Sequence, residues 1–308
     1  MPRRLLFVHA HPDDETLTCG IAMAHHVALG DDVHVLTCTL GEEGEVITPA
    51  LAHLEGHPDD LLGPHRHAEL AEALRRIGAT MHVLGATTGT SGTSGTLSRY
   101  RDSGMVGSPA AARPEAFVNA DLDEASGLVA DLVRRLRPDV VVTYDEHGGY
   151  AHPDHVQTHR VTRAALARLD DVELPRAFEI LTPRSWAEQD RAWARSASPA
   201  AYRGVEDWVS HRPGESTSRQ LEPPAADAPY PPSVVADERV TRVVHDEAAR
   251  TVRTHALRAH GTQVIVLSEE VHALSNLVAI RTTAREGYAA VDPRTWAPVE
   301  GGSGTGLI

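Results

Sequence analysis

Short apolar runs alternate with longer stretches of helical periodicity through the first half of the chain. Arg4 to Ala10 contains the unbroken run Leu5-Leu6-Phe7-Val8. A continuous run of this kind predicts a strand covered on both faces. Leu17 to Leu29 predicts a helix closed by Gly30, Asp32 to Thr39 a second strand, Pro64 to Ile77 a helix and Met81 to Leu84 a third strand. Asp121 to Leu136 reads as a helix, Asp139 to Thr143 as a strand, and Pro153 to Arg168 as a helix whose first turn tolerates the proline. Strands alternating with helices imply right-handed crossovers and an α/β, Rossmann-like fold: a mostly parallel sheet with helices on both faces.

The alternation is interrupted in three places. Gly41 to Gly63 reads as a long polar loop with acidic residues. Ala86 to Ser98 is rich in Gly, Thr and Ser and is expected to be mobile, and Glu222 to Pro232 is a proline- and alanine-rich connector. Beyond it Glu238 to Val244 alternates like a strand and Asp246 to His260 has a helical pattern. We expect residues 1–170 to form a metal-binding catalytic core. Residues 171–300 should complete the same fold as a smaller C-terminal α/β extension bordering the substrate pocket. Residues 301–308, which begin Gly301-Gly302-Ser303, should be a disordered tail.

Composition narrows the partners. The chain has 308 residues, is 41% hydrophobic and carries a net charge of −14. An acidic balance argues against nucleic acid or an anionic membrane as the main partner. No apolar run approaches the roughly 20 residues of a membrane helix, and Met1-Pro2-Arg3-Arg4 leads straight into a strand-like segment without a secretory signature. The two cysteines, Cys19 and Cys38, make no disulfide framework and read as core thiols of a cytoplasmic protein. Every basic side chain other than histidine is arginine, a hint of a GC-rich genome.

Candidate chemistry lies in two segments far apart in sequence. His11-Pro12-Asp13-Asp14-Glu15 follows the first strand, and His152-Pro153-Asp154-His155 follows the strand that ends at Thr143. In a parallel sheet, ligands bind beyond the carboxyl ends of the strands, so these two turns can meet. Zinc favours nitrogen and carboxylate ligands, and catalytic sites keep one position open for water. His11, Asp14 and His155 form the candidate ligand set, with Asp13 left beside them to move protons. His9, on the same strand face as His11, and His159, one turn beyond His155, are competing ligands. His25, His26, His53, His57, His65, His67 and His82 read as ordinary core or surface histidines. Asp13-Asp14-Glu15 also suits a plain acidic helix start, but that does not account for His11 before it or for the second motif. A dinucleotide-binding module is disfavoured, because the first strand-to-helix turn lacks Gly-x-Gly-x-x-Gly. A non-catalytic metal-bound sugar-binding protein would have no use for Asp13 as a base.

Val8 to Glu15, together with Tyr150-Ala151-His152-Pro153-Asp154-His155, resembles the LmbE-like (PIG-L) family of zinc-dependent N-acetylglucosaminyl deacetylases. Thr37 to Ile47, Arg101 to Met105, and Val142-Thr143-Tyr144 leading into Gly148-Gly149-Tyr150 are similar to the actinobacterial branch that deacetylates N-acetylglucosaminyl-inositol for mycothiol biosynthesis. Ala259 to Gln263 is similar to a further family segment. The resemblance covers residues 1 to about 160 well and the stretch from Asp170 to Val235 poorly. It implies one Zn²⁺ per chain, or Fe²⁺ in the cell, held by His11, Asp14 and His155, with Asp13 as general base. It further implies His152 as the charge-stabilising or acidic group, Asp154 as its orienting partner and Tyr150 as a mobile residue that polarises the carbonyl. Arg66, Asp102 and Glu45 match substrate-binding positions. A sister activity, cleavage of mycothiol S-conjugates, would use the same chemistry on a larger acyl group.

Overall fold

The computed structural model describes residues 2–86, 97–196, 221–299 and 304–308. The chain begins β1 (Arg4–His9), α1 (Asp14–Ala28), β2 (Asp32–Thr37), α2 (Leu62–Ile77) and β3 (Thr80–Val83). It continues α3 (Leu122–Leu136), β4 (Val140–Tyr144), a short α4 (Gly148–Ala151), α5 (Pro153–Leu166), β5 (Arg176–Pro183) and α6 (Arg184–Ser196). After the second gap come β6 (Val234–Val235), β7 (Arg242–His245), α7 (Glu247–Leu257), β8 (Ile265–Val266), β9 (Val271–Ala273), β10 (Ile280–Arg281), β11 (Arg285–Val291) and β12 (Gly304–Thr305). Among the described residues nine strands form one sheet in the order β12-β7-β11-β5-β4-β1-β2-β3, with β6 beside β5. The five strands β3, β2, β1, β4 and β5 run parallel, and β11 is antiparallel to both β5 and β7. Strands β8, β9 and β10 make a small separate antiparallel sheet.

Successive side chains of a strand point to opposite faces, and here both faces are covered. Leu5 and Phe7 pack with Val33, Val35, Val140 and Val142 under Ile21 and Met23 of α1 and Leu70 and Leu74 of α2. Leu6 and Val8 pack with Leu36 and Val141 under Val129 and Val133 of α3 and Val161 and Ala165 of α5. This is why β1 and β4 read as unbroken apolar runs. Cys19 and Cys38 are both buried and unpaired, one in each of these cores.

Several boundaries differ from the sequence reading. The first helix starts at Asp14 rather than Leu17, so the acidic residues form its first turn, where the helix dipole favours them. The loop from Gly41 to Gly63 contains a 3₁₀ turn, Pro49–Leu54, and buries Val46, Ile47 and Leu54. The strand expected at Glu238 to Val244 is a 3₁₀ turn at Asp237–Arg239 followed by β7. Most of the Gly/Thr/Ser-rich stretch, 87–96, lies outside the described residues, as do 197–220. The tail expected to be disordered is tied down where it is described: β12 pairs with β7 and Leu307 is fully buried in the first core.

Two buried charged side chains are inserted against α1. Arg253 of α7 donates through Nε to the Thr16 carbonyl at 3.0 Å and through Nη2 to the Leu17 carbonyl. Glu286 of β11 accepts the backbone N–H groups of Ile21 at 2.9 Å and Ala22 at 2.8 Å. Gly20 allows the crossing: a Cβ there would sit 2.7 Å from Arg253 Cγ. The helix that carries Asp14 is thereby pinned to the C-terminal part of the chain.

Candidate metal centre and active site

Strands β1 and β4 are parallel neighbours, so the turns after them meet at one edge of the sheet. His11 leaves β1, and its backbone N–H donates to Asp14 Oδ2 at 3.0 Å. His152 caps α5 through Nδ1, which accepts the Asp154 N–H at 3.1 Å. Pro153 takes the first helical position and His155 follows in the first turn. The result is a close triangle of donor atoms. His11 Nδ1 is 3.3 Å from Asp14 Oδ2, His155 Nε2 is 3.2 Å from the same oxygen, and the two ring nitrogens are 3.3 Å apart.

That triangle fits a metal ion. Zinc–nitrogen and zinc–oxygen bonds of about 2.0–2.1 Å in a tetrahedron separate ligand atoms by about 3.3 Å. The tautomer of His11 also fits. Its Nε2 lies 3.2 Å from Asp154 Oδ2, so Nε2 carries the proton and the Nδ1 lone pair faces the triangle. Asp154 is in turn fixed by Ser103, whose N–H and hydroxyl donate to it at 2.9 and 2.5 Å. The His155 ring stacks on Tyr144 with centroids 4.3 Å apart, while its Nδ1 is buried without a partner. Burial alone would lower the His11 pKa, but the carboxylates Asp102, Asp14 and Asp154 outweigh it and hold the imidazole well above its usual range. For Asp14, burial is outweighed by His155 and His11, which keep the carboxyl well below its usual range. In this cluster a metal ion and a proton compete for the same lone pairs.

Asp13 stands apart from the triangle. Its φ of 114° lies in a region that non-glycine residues rarely adopt. The conformation is held by Glu15 Oε2, which accepts the Asp13 N–H at 3.0 Å, and Glu15 Oε1 faces His260 Nε2 at 3.2 Å. The Asp13 carboxylate is 3.4 Å from Arg66 Nη2. Burial raises its pKa to about 7, against the opposing pull of Arg66.

The structure brings most of the sequence-derived residues together. His152 lies with its ring centroid 4.7 Å from that of His11 and 5.0 Å from that of His155, and His11, His152 and His155 together form a second ligand combination. Asp154 differs from expectation: its carboxylate orients His11, and only its backbone N–H reaches His152. Tyr150 is half exposed at the rim, edge-on to His155 at 4.9 Å, and is carried by a turn with positive φ at Gly148, Gly149 and Ala151. Asp102 Oδ1 is 3.5 Å from His11 Nε2. Arg66 is buried behind Asp13, donating to the Gly41 and Pro12 carbonyls at 2.7 and 2.6 Å. Glu45 is exposed on the loop after β2, where its carbonyl accepts from Gln263.

The competing ligands point elsewhere. His159 Nδ1 is 3.0 Å from the Tyr144 carbonyl and its ring meets Trp296 edge-on, and His9 is fully buried edge-on to Tyr144. Ser103, Tyr144 and the Glu15–His260 pair support the site but were not assigned roles from sequence. All four lie in segments that the sequence had singled out, but their contacts across the site were not foreseen.

A cavity of about 330 Å³ opens from Asp14, Tyr150 and His155. Its far wall comes from α6, β10 and β11, so the C-terminal part of the chain borders the metal triangle.

Residues 6–166 match the PIG-L family model, described as GlcNAc-PI de-N-acetylase. A 1D-myo-inositol 2-acetamido-2-deoxy-alpha-D-glucopyranoside deacetylase of Rhodococcus erythropolis is 43% identical over 279 residues, covering 90% of this chain and 86% of that one. The enzyme of the same name from Streptomyces avermitilis is 43% identical over 299 residues, covering 97% and 95%. A deacetylase of the teicoplanin biosynthesis pathway has a TM-score of 0.49 at 16% identity, covering 94% of this chain and 99% of that one. With its motif residues gathered on one sheet edge and the family model spanning 6–166, the chain belongs to the PIG-L family of de-N-acetylases.

Proposed function

We propose that this protein is a metal-dependent amidohydrolase that removes the acetyl group from N-acetylglucosaminyl-inositol in mycothiol biosynthesis, releasing acetate. The observation that carries the chemistry is the His11–Asp14–His155 triangle beside a separate, buried Asp13. The substrate rests on the deacetylases that this chain resembles over nearly its whole length. We read Zn²⁺ as the resident ion, with Fe²⁺ its alternative, and a cytoplasmic location. Among the described residues no helix is long and apolar enough to cross a membrane.

An amide is a poor electrophile and an amine a poor leaving group, so both ends need assistance. A divalent ion held by His11, Asp14 and His155 supplies Lewis acidity and makes a neighbouring water more acidic. Asp13 takes the proton of the attacking water. Its carboxylate is held by Arg66 and is not needed to bind the ion, which leaves it to accept that proton. His152 is a neutral hydrogen-bond donor in this reading. Its Nδ1 already accepts the Asp154 N–H, which leaves the proton on Nε2 for the developing oxyanion. Tyr150 reaches the same oxygen from the rim. With His152 neutral, the leaving amine takes the proton that Asp13 removed from the water. Asp102 faces His11 Nε2 and Arg66 balances the charge of Asp13.

The test is acetate and free amine release from N-acetylglucosaminyl-inositol by metal-loaded protein, run beside a mycothiol S-conjugate. Release from the first that is abolished by chelation and restored by Zn²⁺ is the expected result. Turnover of the conjugate alone would favour the sister activity, and undiminished turnover after chelation would end the metal mechanism.

A further inference from the structure

The cavity beside Asp14 and His155 has a second charged wall, remote in sequence from both site loops. We infer that this wall is a subsite for a neutral polyhydroxylated ring, the inositol end of the substrate, and the inference rests on the function proposed above. Asp190 of α6 is its centre. Asp190 Oδ1 accepts from Arg281 Nη1 at 3.1 Å and from Arg285 Nη2 at 3.0 Å. Each guanidinium lies over an indole, Arg281 at 4.9 Å from Trp193 and Arg285 at 4.6 Å from Trp186. Arg285 Nη1 also donates to Gln189 Oε1 at 3.2 Å, while its Nε is buried without a partner. Trp186, Asp190, Arg281 and Arg285 line the same cavity as Asp14 and His155.

The order of groups along this wall is donor, acceptor, donor. A hydroxyl both donates and accepts, so a ring bearing adjacent hydroxyls satisfies the guanidinium groups and the carboxylate together. A phosphate or carboxylate offers only acceptors and meets the charge of Asp190. Stacking on the indoles fixes both guanidinium groups before any ligand arrives, so little side-chain freedom is lost on binding. A cavity of about 330 Å³ falls in the range of small-molecule sites. The wall therefore distinguishes substrates by what is attached to the amino sugar, away from the scissile amide.

The experiment compares kcat/KM on N-acetylglucosaminyl-inositol with kcat/KM on methyl N-acetylglucosaminide, which lacks the ring, using metal-loaded full-length protein. Wild type is expected to prefer the inositol glycoside. Arg281→Ala and Asp190→Asn are each expected to cut that preference about 10- to 100-fold, mainly through KM, with metal content intact. Arg281→Gln, which keeps the stem against Trp193, carries the same comparison if the alanine variant does not fold. No preference in wild type, an unchanged ratio in the variants, or an equal loss on both substrates overturns the subsite. A variant effect confined to a phosphorylated inositol glycoside also overturns it, in favour of an anion site. Wild-type protein that deacetylates neither glycoside instead overturns the functional reading beneath it.

Discussion

Asp13 is next to a candidate metal ligand in sequence, yet its carboxylate lies 3.4 Å from Arg66 and is not one of the three groups of the triangle. That separation of roles gives a sharp expectation at the residue scale. Asp13→Asn should bind metal normally and lose roughly 10²–10⁴-fold in kcat, the usual weight of a general base. Steady-state acetate release with parallel metal analysis checks it, and wild-type turnover in the variant would remove Asp13 from the role. His11, Asp14 and His155 were legible in sequence because two His-Pro-Asp motifs each follow a predicted strand. Spacing alone leaves several imidazoles within reach, and it was the family resemblance that preferred them to His9 and His159. Ser103, Tyr144 and His260 were not legible as supports. They act through hydrogen bonds and stacking between segments far apart in the chain, and membership of a motif segment does not reveal those contacts.

At the scale of elements, α1 matters most, because it presents Asp14 and is pinned by Arg253 and Glu286. Arg253 donates to two carbonyls of α1 and its charge offsets part of the burial of Glu286, so losing it should cost roughly 3 kcal/mol. Arg253→Met should destabilise the protein by about that much in urea unfolding, and adding Glu286→Gln should recover part of the loss. A change below about 1 kcal/mol in the single variant would contradict the pinning. Strands β1, β2 and β4 were readable because their two-sided burial demands unbroken apolar runs. Strand β11 was missed because Arg285-Glu286-Gly287 interrupts its pattern. Glu286 is tolerated inside because the N–H groups of α1 satisfy it. Strand β5 was missed for a related reason: it lies in the stretch where family resemblance was poor, and it carries Glu179 among its apolar residues.

For the whole molecule, Glu179 links stability to pH. Burial raises its pKa from the ordinary 4.5 to about 7, although Trp296 Nε1 donates to it at 2.6 Å. Between those values the unfolded chain has lost a proton that the folded chain keeps. Stability from this group therefore falls as pH rises from about 4.5 to about 7 and is level above. Glu179→Gln should flatten that slope and raise stability at pH 8 by on the order of 2 kcal/mol. Thermal midpoints from pH 4 to 8 measure it, and a variant profile that keeps the wild-type slope would refute the assignment. The parallel sheet and the convergence of its two site loops were deducible before any coordinates, because topology brings the ends of neighbouring parallel strands together. The pocket's far wall was not, since α6, β10 and β11 join it only through tertiary packing.

Metal stoichiometry after exhaustive dialysis, measured on wild type, Asp13→Asn and His155→Ala, probes the convergence of the two loops most directly. About one divalent ion per chain is predicted for the first two proteins and far less for the third. Full metal content in His155→Ala would contradict the triangle and with it the mechanism built on it.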